Sequence, residues 1–247
     1  MGNNTVRYSS LGEDRIPSLV LRFSLPAIGG MLANALYNIV DRIFVGRTVG
    51  PSGIGAISVV FPFMLLAIAY CLLIGVGAGS LISISLGEKR RARAEKAMGN
   101  ALIFFLGGSV ALSLAGALFS GPVLEISGAG GTLFPLAKEY MDIVVWGIPF
   151  STAAFGLNFF IRAEGSPRYA MYSLLIGAFA NILLDAFLIL VLDMGIRGAA
   201  IATVLSQMLS AAWASAFYIR KRSTLRFRLK HMAPDRKILG RIIAVGL

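Results

Sequence analysis

An all-α integral membrane protein, built as a six-helix transmembrane bundle, is the expected architecture, on three grounds. The 247 residues have a mean hydropathy of +0.78 and are 57% hydrophobic but only 14% charged. A soluble domain carries about 25% charged residues, so water is a poor solvent for this chain and a bilayer a good one. The apolar residues come in six long runs, each near the ~20 residues a helix needs to cross the hydrocarbon. The runs are continuous and lack the period-two alternation of a membrane β-barrel.

The spans fall near 18–45, 54–86, 97–120, 136–161, 169–192 and 197–219. Backbone polar groups cannot be left bare in lipid, so each is expected to be helical. The second is long enough to project beyond the bilayer. The chain divides into a cytoplasmic N-terminal tail at 1–16, a six-helix membrane lobe at 17–220, a basic cytoplasmic linker at 221–237 and the start of a truncated seventh helix at 238–247.

The net charge is +11. The basic residues sit in short runs between apolar spans, which is the pattern of membrane orientation and not of nucleic-acid binding. GEKRRARAEK at 87–96 holds Lys89, Arg90, Arg91, Arg93 and Lys96; the 162–168 loop holds Arg162 and Arg168; the tail holds Arg220, Lys221, Arg222, Arg226, Arg228 and Lys230. The loops near 121–135 and 193–196 are almost free of basic residues. Alternate loops agree, so the N-terminus, the basic loops and the tail are expected in the cytoplasm of a plasma (inner) membrane protein.

Cys71 lies within an apolar run and has no second cysteine to pair with; His231 sits in the basic tail, and neither belongs to a metal-ligand cluster. No cleavable signal peptide is expected, because the first apolar run is too long. Glycine is frequent inside the spans, and Gly75 and Gly79 form a GxxxG pair that favours close helix packing. SGAGG at 127–131 lacks a GK[ST] ending, so it is an outer loop and not a P-loop.

Ionisable residues inside spans are costly, which makes them candidate functional residues. Asp41 in LYNIVDRIFVG and Asp185 in FANILLDAFLIL are two such cases. Asn181 lies four residues before Asp185, on the same helix face. Thr203 lies about two turns into the sixth helix, which runs inward while the first and fifth run outward. All four then fall at a similar depth. These are hard oxygen ligands for a small cation, and they would equally hold a proton. The bland alternative is that Asp41 pairs with Arg42 at the membrane edge while Asn181 and Thr203 satisfy backbone groups. Pro26 removes a hydrogen bond early in the first span, either as a bending point or as a tolerated proline.

YNIVDRIFVGRTVGPSGIGAISVVFP, FIRAEGSPRYAM and GIRGAAIATVLSQ, in that order, resemble the first helix, the loop between helices four and five, and the start of helix six of the multidrug and toxic compound extrusion (MATE) family. The first segment is most similar to its MepA-like branch. The resemblance runs from about residue 15 to the end. It implies an antiporter, not an enzyme, that exports small organic cations such as drugs and dyes in exchange for Na+ or H+, with no other cofactor. It places the cation site on Asp41, Asn181, Asp185 and Thr203, with no metal site beyond the possible Na+ site, and helix bending on Pro26. Family members have about twelve helices in two lobes. The chain therefore resembles an N-lobe, with a C-terminal lobe missing after ILGRIIAVGL; truncation and pairing of two copies both remain open. The competing readings are a lipid-linked oligosaccharide flippase of the same superfamily, an intramembrane aspartyl protease, disfavoured by the VDR and LLD contexts, and a non-transporting orphan membrane lobe.

Overall fold

The structure is a computed structural model, and it describes residues 16–227 and 233–247. Among these residues there are helices and no strands: α1 (Ile16–Thr48), α2 (Pro51–Gly87), α3 (Arg91–Leu118), α4 (Ser120–Ile126), α5 (Leu133–Val144), α6 (Ile148–Ala163), α7 (Pro167–Asp185), α8 (Gly195–Ile219) and α9 (Arg236–Gly246). A 3-10 turn, Val145–Gly147, joins α5 to α6, and a π-helical turn, Ala186–Val191, continues α7. Most of the N-terminal tail at 1–16, His231, and Arg228 and Lys230 of the basic linker lie outside the described residues.

Among the described residues, six helical spans are long and apolar enough to cross a membrane: α1, α2, α3, α5 with α6, α7 with its π turn, and α8. The chain is a multi-pass membrane protein, as the composition requires. Large apolar side chains cover its outside; Leu25, Leu36, Phe179 and Leu183 are 62%, 58%, 65% and 69% exposed. Lipid, not water, is the solvent such a surface fits. At about 1.5 Å per residue, the 37 residues of α2 span more than the ~30 Å hydrocarbon core, so the second helix does overreach it.

Several boundaries differ from the sequence reading. The basic stretch at 87–96 is mostly helix, because α3 begins at Arg91 and only Glu88–Arg90 turn, with Lys89 at φ 57°. The outer loop after α3 contains α4 and then turns at Gly128 and Gly131, which have φ 91° and 54°. The fourth span is broken by its 3-10 turn. The final helix starts at Arg236, two residues before the expected 238, with Asp235 as its N-cap accepting from the backbone N–H of Lys237 and Ile238. Pro26 lies buried inside α1, which runs without interruption from Ile16 to Thr48.

The helices close around two stacked apolar clusters. One joins Val45, Val60, Met141, Ile148, Ile189 and Ile196; the other joins Ile74, Met98, Phe105, Phe160, Phe217 and Ile242. Small residues set the approach. A Cβ at Gly75 would collide with the Phe159 ring, and one at Gly30 would collide with Leu174, so a side chain of α6 seats against the α2 backbone and one of α7 against the α1 backbone. Polar groups bind the same helices together: Asn158 Nδ2 donates to Ala170 O at 2.6 Å and to Ser173 Oγ at 2.9 Å, and Ser210 Oγ donates to Ser173 O at 2.6 Å.

The few acidic residues at the basic end have a structural role. The buried Glu164 carboxylate accepts from Ser223 Oγ at 2.7 Å and from the Thr224 and Leu225 backbone N–H groups at 2.9 and 3.4 Å. Glu95 accepts from Arg226 N at 3.2 Å, and Asp235 pairs with Lys96 at 3.1 Å. The described part of the linker is therefore pinned to the bundle.

Candidate cation site

Asp41, Asn181 and Asp185 are buried in the membrane-spanning part of the bundle, at 6%, 0% and 0% exposure. Asp41 comes from α1. Asn181 and Asp185 come from the last turns of α7, where the helix passes into its π turn. A π turn shifts the register of the side chains that follow it, and such turns recur at functional sites. The close approach of Gly198 to the Leu188 backbone holds α8 against that turn.

The two carboxylates lie within interaction range of each other. Asp41 Oδ1, both Asp185 oxygens, and both polar atoms of Asn181 have no hydrogen-bond partner among the described residues. Buried polar atoms are nearly always satisfied, because an unmet one costs about 1–3 kcal/mol. Five such atoms in one patch mark a place that asks for a ligand. Two adjacent buried carboxylates also repel when both are charged, and a proton or a small cation between them removes that repulsion.

Thr203 joins the patch from α8 through a residue the sequence reading missed. Tyr140 of α5 adjoins the Thr203 side chain and stands within electrostatic range of Asp41, Asp185 and Tyr37. Tyr37 was also missed, although it lies four residues before Asp41 on the same helix face. Tyr140 carried no signal, because an aromatic residue in an apolar span reads as core. The structure thus gathers Asp41, Asp185 and Thr203 around Tyr140, and keeps Asn181 one turn behind Asp185. Arg42 is exposed and stands within electrostatic range of Asp41 without closing to an ion pair. Pro26 lies elsewhere on α1, fifteen residues from Asp41, where the proline has no N–H to donate to the helix.

One side of this patch opens into a cavity of about 530 Å³. Asp41, Tyr37, Tyr140, Thr203 and Gln207 line it, together with apolar residues such as Phe61 and Phe155. Asp185 and Asn181 sit behind the wall. A cation held between Asp41 and Asp185 would therefore be separated from the cavity by one side chain, so its arrival and departure would be felt there.

Residues 26–187 match the MatE family model. The chain is 30% identical over 232 residues to the multidrug export protein MepA of Staphylococcus aureus strain MSSA476, covering 92% of this chain and 51% of that protein. A solved MATE structure in a bent conformation superposes with a TM-score of 0.85 at 30% identity, covering 92% of this chain and 51% of that one. An outward-facing multidrug resistance MATE transporter of the MOP superfamily superposes with a TM-score of 0.86 at 29% identity, covering 92% and 50%. The chain spans about half the length of the curated relatives it matches.

Proposed function

This chain belongs to the MATE family, and on that premise we propose that it is the cation-coupling half of a multidrug efflux antiporter. In this reading Na+ or H+ binds at Asp41 and Asp185, with Asn181 and Thr203 completing the oxygen set, and its release drives export of small organic cations. The N-terminus and the basic loops face the cytoplasm, and the host membrane is the plasma (inner) membrane. The observation that carries the reading is the group of five unpartnered buried polar atoms on Asp41, Asn181 and Asp185, beside a cavity lined by Asp41 and aromatic residues.

The chemistry suits the cargo. An acidic residue in an aromatic-lined cavity attracts an organic cation electrostatically and through its ring faces. If a coupling ion neutralises the Asp41–Asp185 pair, the same carboxylate loses its attraction for the drug. Ion and drug then compete, as antiport requires. Alternating access in such folds needs a second half opposite this one.

The test is ligand-linked stability. A ligand that binds the native state alone raises its stability by RT ln(1 + [L]/Kd). Sodium should raise the thermal midpoint of the purified protein above that in equal choline, and Asp185→Asn should abolish the response while leaving the protein folded. A full response retained in Asp185→Asn would refute the site. A response to pH alone would make the coupling ion a proton.

A further inference from the structure

Another cavity lies at the other end of the bundle, away from the cation site. It measures about 660 Å³ and is bordered by Arg22, Arg168, Lys221 and Arg222, with Tyr172 and Trp213 among its aromatic walls. Among the described residues, no acidic side chain lines it. Arg168, Lys221 and Arg222 form no ion pair with a carboxylate among the described residues, and all three are exposed. Like charges gathered around a concave surface raise the potential inside it, and an anion relieves their repulsion.

Other features favour an anion there. The cavity includes the start of α7, where Ser166 makes no side-chain cap to the first turn, and a helix N-terminus attracts negative charge. Trp213 Nε1–H is buried without an acceptor among the described residues. Tyr169 stacks on Trp213 with ring centroids 5.4 Å apart, and the Arg222 guanidinium lies over Tyr169 at 5.7 Å. This aromatic stack forms one wall of the cavity, near the ends of the spans, and Tyr and Trp are favoured at membrane interfaces.

A second groove, of about 330 Å³, continues from the same residues. It shares Arg22, Arg168 and Tyr172 with the basic cavity and runs over Leu21, Leu25, Pro26 and Met171, between α1 and α7. Leu21 and Leu25 are 58% and 62% exposed. A cationic pocket that opens into an apolar groove matches a molecule with an anionic head and an apolar tail.

We propose that the basic end of the bundle holds one anionic phospholipid, its phosphate among Arg168, Lys221 and Arg222 and one acyl chain along Leu21, Leu25 and Met171. Free phosphate shares the head-group chemistry but has no use for the groove. The lipid bridges α1 and α7, the two helices that carry Asp41 and Asp185 further along the bundle. The site depends on neither the cation reading nor the orientation of the chain.

The chain has two tryptophans, so Trp146→Phe leaves Trp213 as the only one and as a reporter in the cavity wall. The experiment uses this variant in phosphatidylcholine nanodiscs, with a small fixed fraction of acyl-brominated lipid as quencher. Brominated phosphatidylglycerol should quench Trp213 more strongly than brominated phosphatidylcholine. Arg168→Gln with Arg222→Gln should weaken that preference by about fivefold per charge removed. Arg168→Lys with Arg222→Lys, which keeps the charge, should retain it, and this separates lost binding from lost folding. Equal quenching by the two lipids, or a preference unchanged in the glutamine pair, would overturn the proposal. Loss of the quenching in millimolar glycerol phosphate, at matched ionic strength, would assign the cavity to a soluble phosphate and also overturn it.

Discussion

Glu164, just beyond the end of α6, accepts the backbone N–H of Thr224 at 2.9 Å across sixty residues of sequence. The same carboxylate also takes bonds from Ser223 and Leu225, so one buried acid fixes the exit of the chain from α8. Glu164→Ala removes the acceptor of the Thr224 N–H, while Ser223 Oγ and the Leu225 N–H keep only the 2.9 Å bonds they make with each other's residue. The local cost is expected to be about 1–3 kcal/mol, because each buried unmet donor keeps its desolvation penalty. Amide exchange at Thr224–Phe227 should accelerate while α2 and α6 stay protected.

The same residue gives a pH dependence. Burial raises the Glu164 carboxyl above its ordinary range, and the hydrogen bonds from Ser223 and Thr224 offset this only in part. The folded state therefore binds the proton more tightly than the unfolded state does. Its contribution to stability is full below the ordinary carboxylate range and is lost as pH rises through the raised value. Protection at 224–227, corrected for intrinsic exchange, should fall as pH climbs above that range. The dependence should vanish in Glu164→Gln. Unchanged dependence in that variant would place the titrating group elsewhere.

Helix α9 rests on α2 at Gly77, where an added Cβ would run into the carbonyl oxygen of Ile242. A backbone atom cannot rotate away as a side-chain tip can. Gly77→Ala is therefore expected to displace α9 and expose Ile242, which is now 1% exposed. Limited proteolysis between α8 and α9 should become faster, with little change in the helix content of the rest. Gly240→Ala, where a Cβ would meet open space, is the control and should leave the rate unchanged.

Orientation follows from the clustered basic residues. Arg91→Cys and Ser127→Cys, each in a Cys71→Ala background, should react oppositely with an impermeant thiol reagent on intact cells: position 127 labelled, position 91 protected. The inverse pattern would turn the bundle over.

The six spans were readable because twenty continuous apolar residues have few other uses. What the residues could not announce is local or distant. The 3-10 turn at Val145–Gly147 and the π turn at Ala186–Val191 leave the apolar pattern unchanged, since lipid-facing and core-facing side chains are alike apolar here. The pinning of the linker by Glu164 and Glu95 joins residues 60 and 131 apart, beyond the reach of any periodicity. Glu164 and Glu95, acids within otherwise basic stretches, were nonetheless a visible hint. At the candidate site, Asp41 and Asp185 stood out because charge in a span is rare. Tyr140 did not, since its partners come from three other helices.

The arrangement of the candidate cation site also predicts a graded response to substitution. Asp41 and Asp185 would supply the charge, so Asp41→Asn should weaken the sodium-dependent rise in thermal midpoint about as much as Asp185→Asn. Asn181 is fully buried with both polar atoms unmet. Asn181→Leu removes two unsatisfied atoms and fills a similar volume, so it should raise stability in choline while lowering the response to sodium. A group that merely supports the fold would change the first without the second. Thr203→Val keeps its shape and loses one hydroxyl, and should weaken the response less than either aspartate variant. Tyr140→Phe removes the hydroxyl that adjoins Thr203. If Tyr140 only positions Thr203, Tyr140→Phe and Thr203→Val should each lower the response by a similar amount, and the double variant by no more than either. Additive losses in the double variant would instead make Tyr140 an independent ligand.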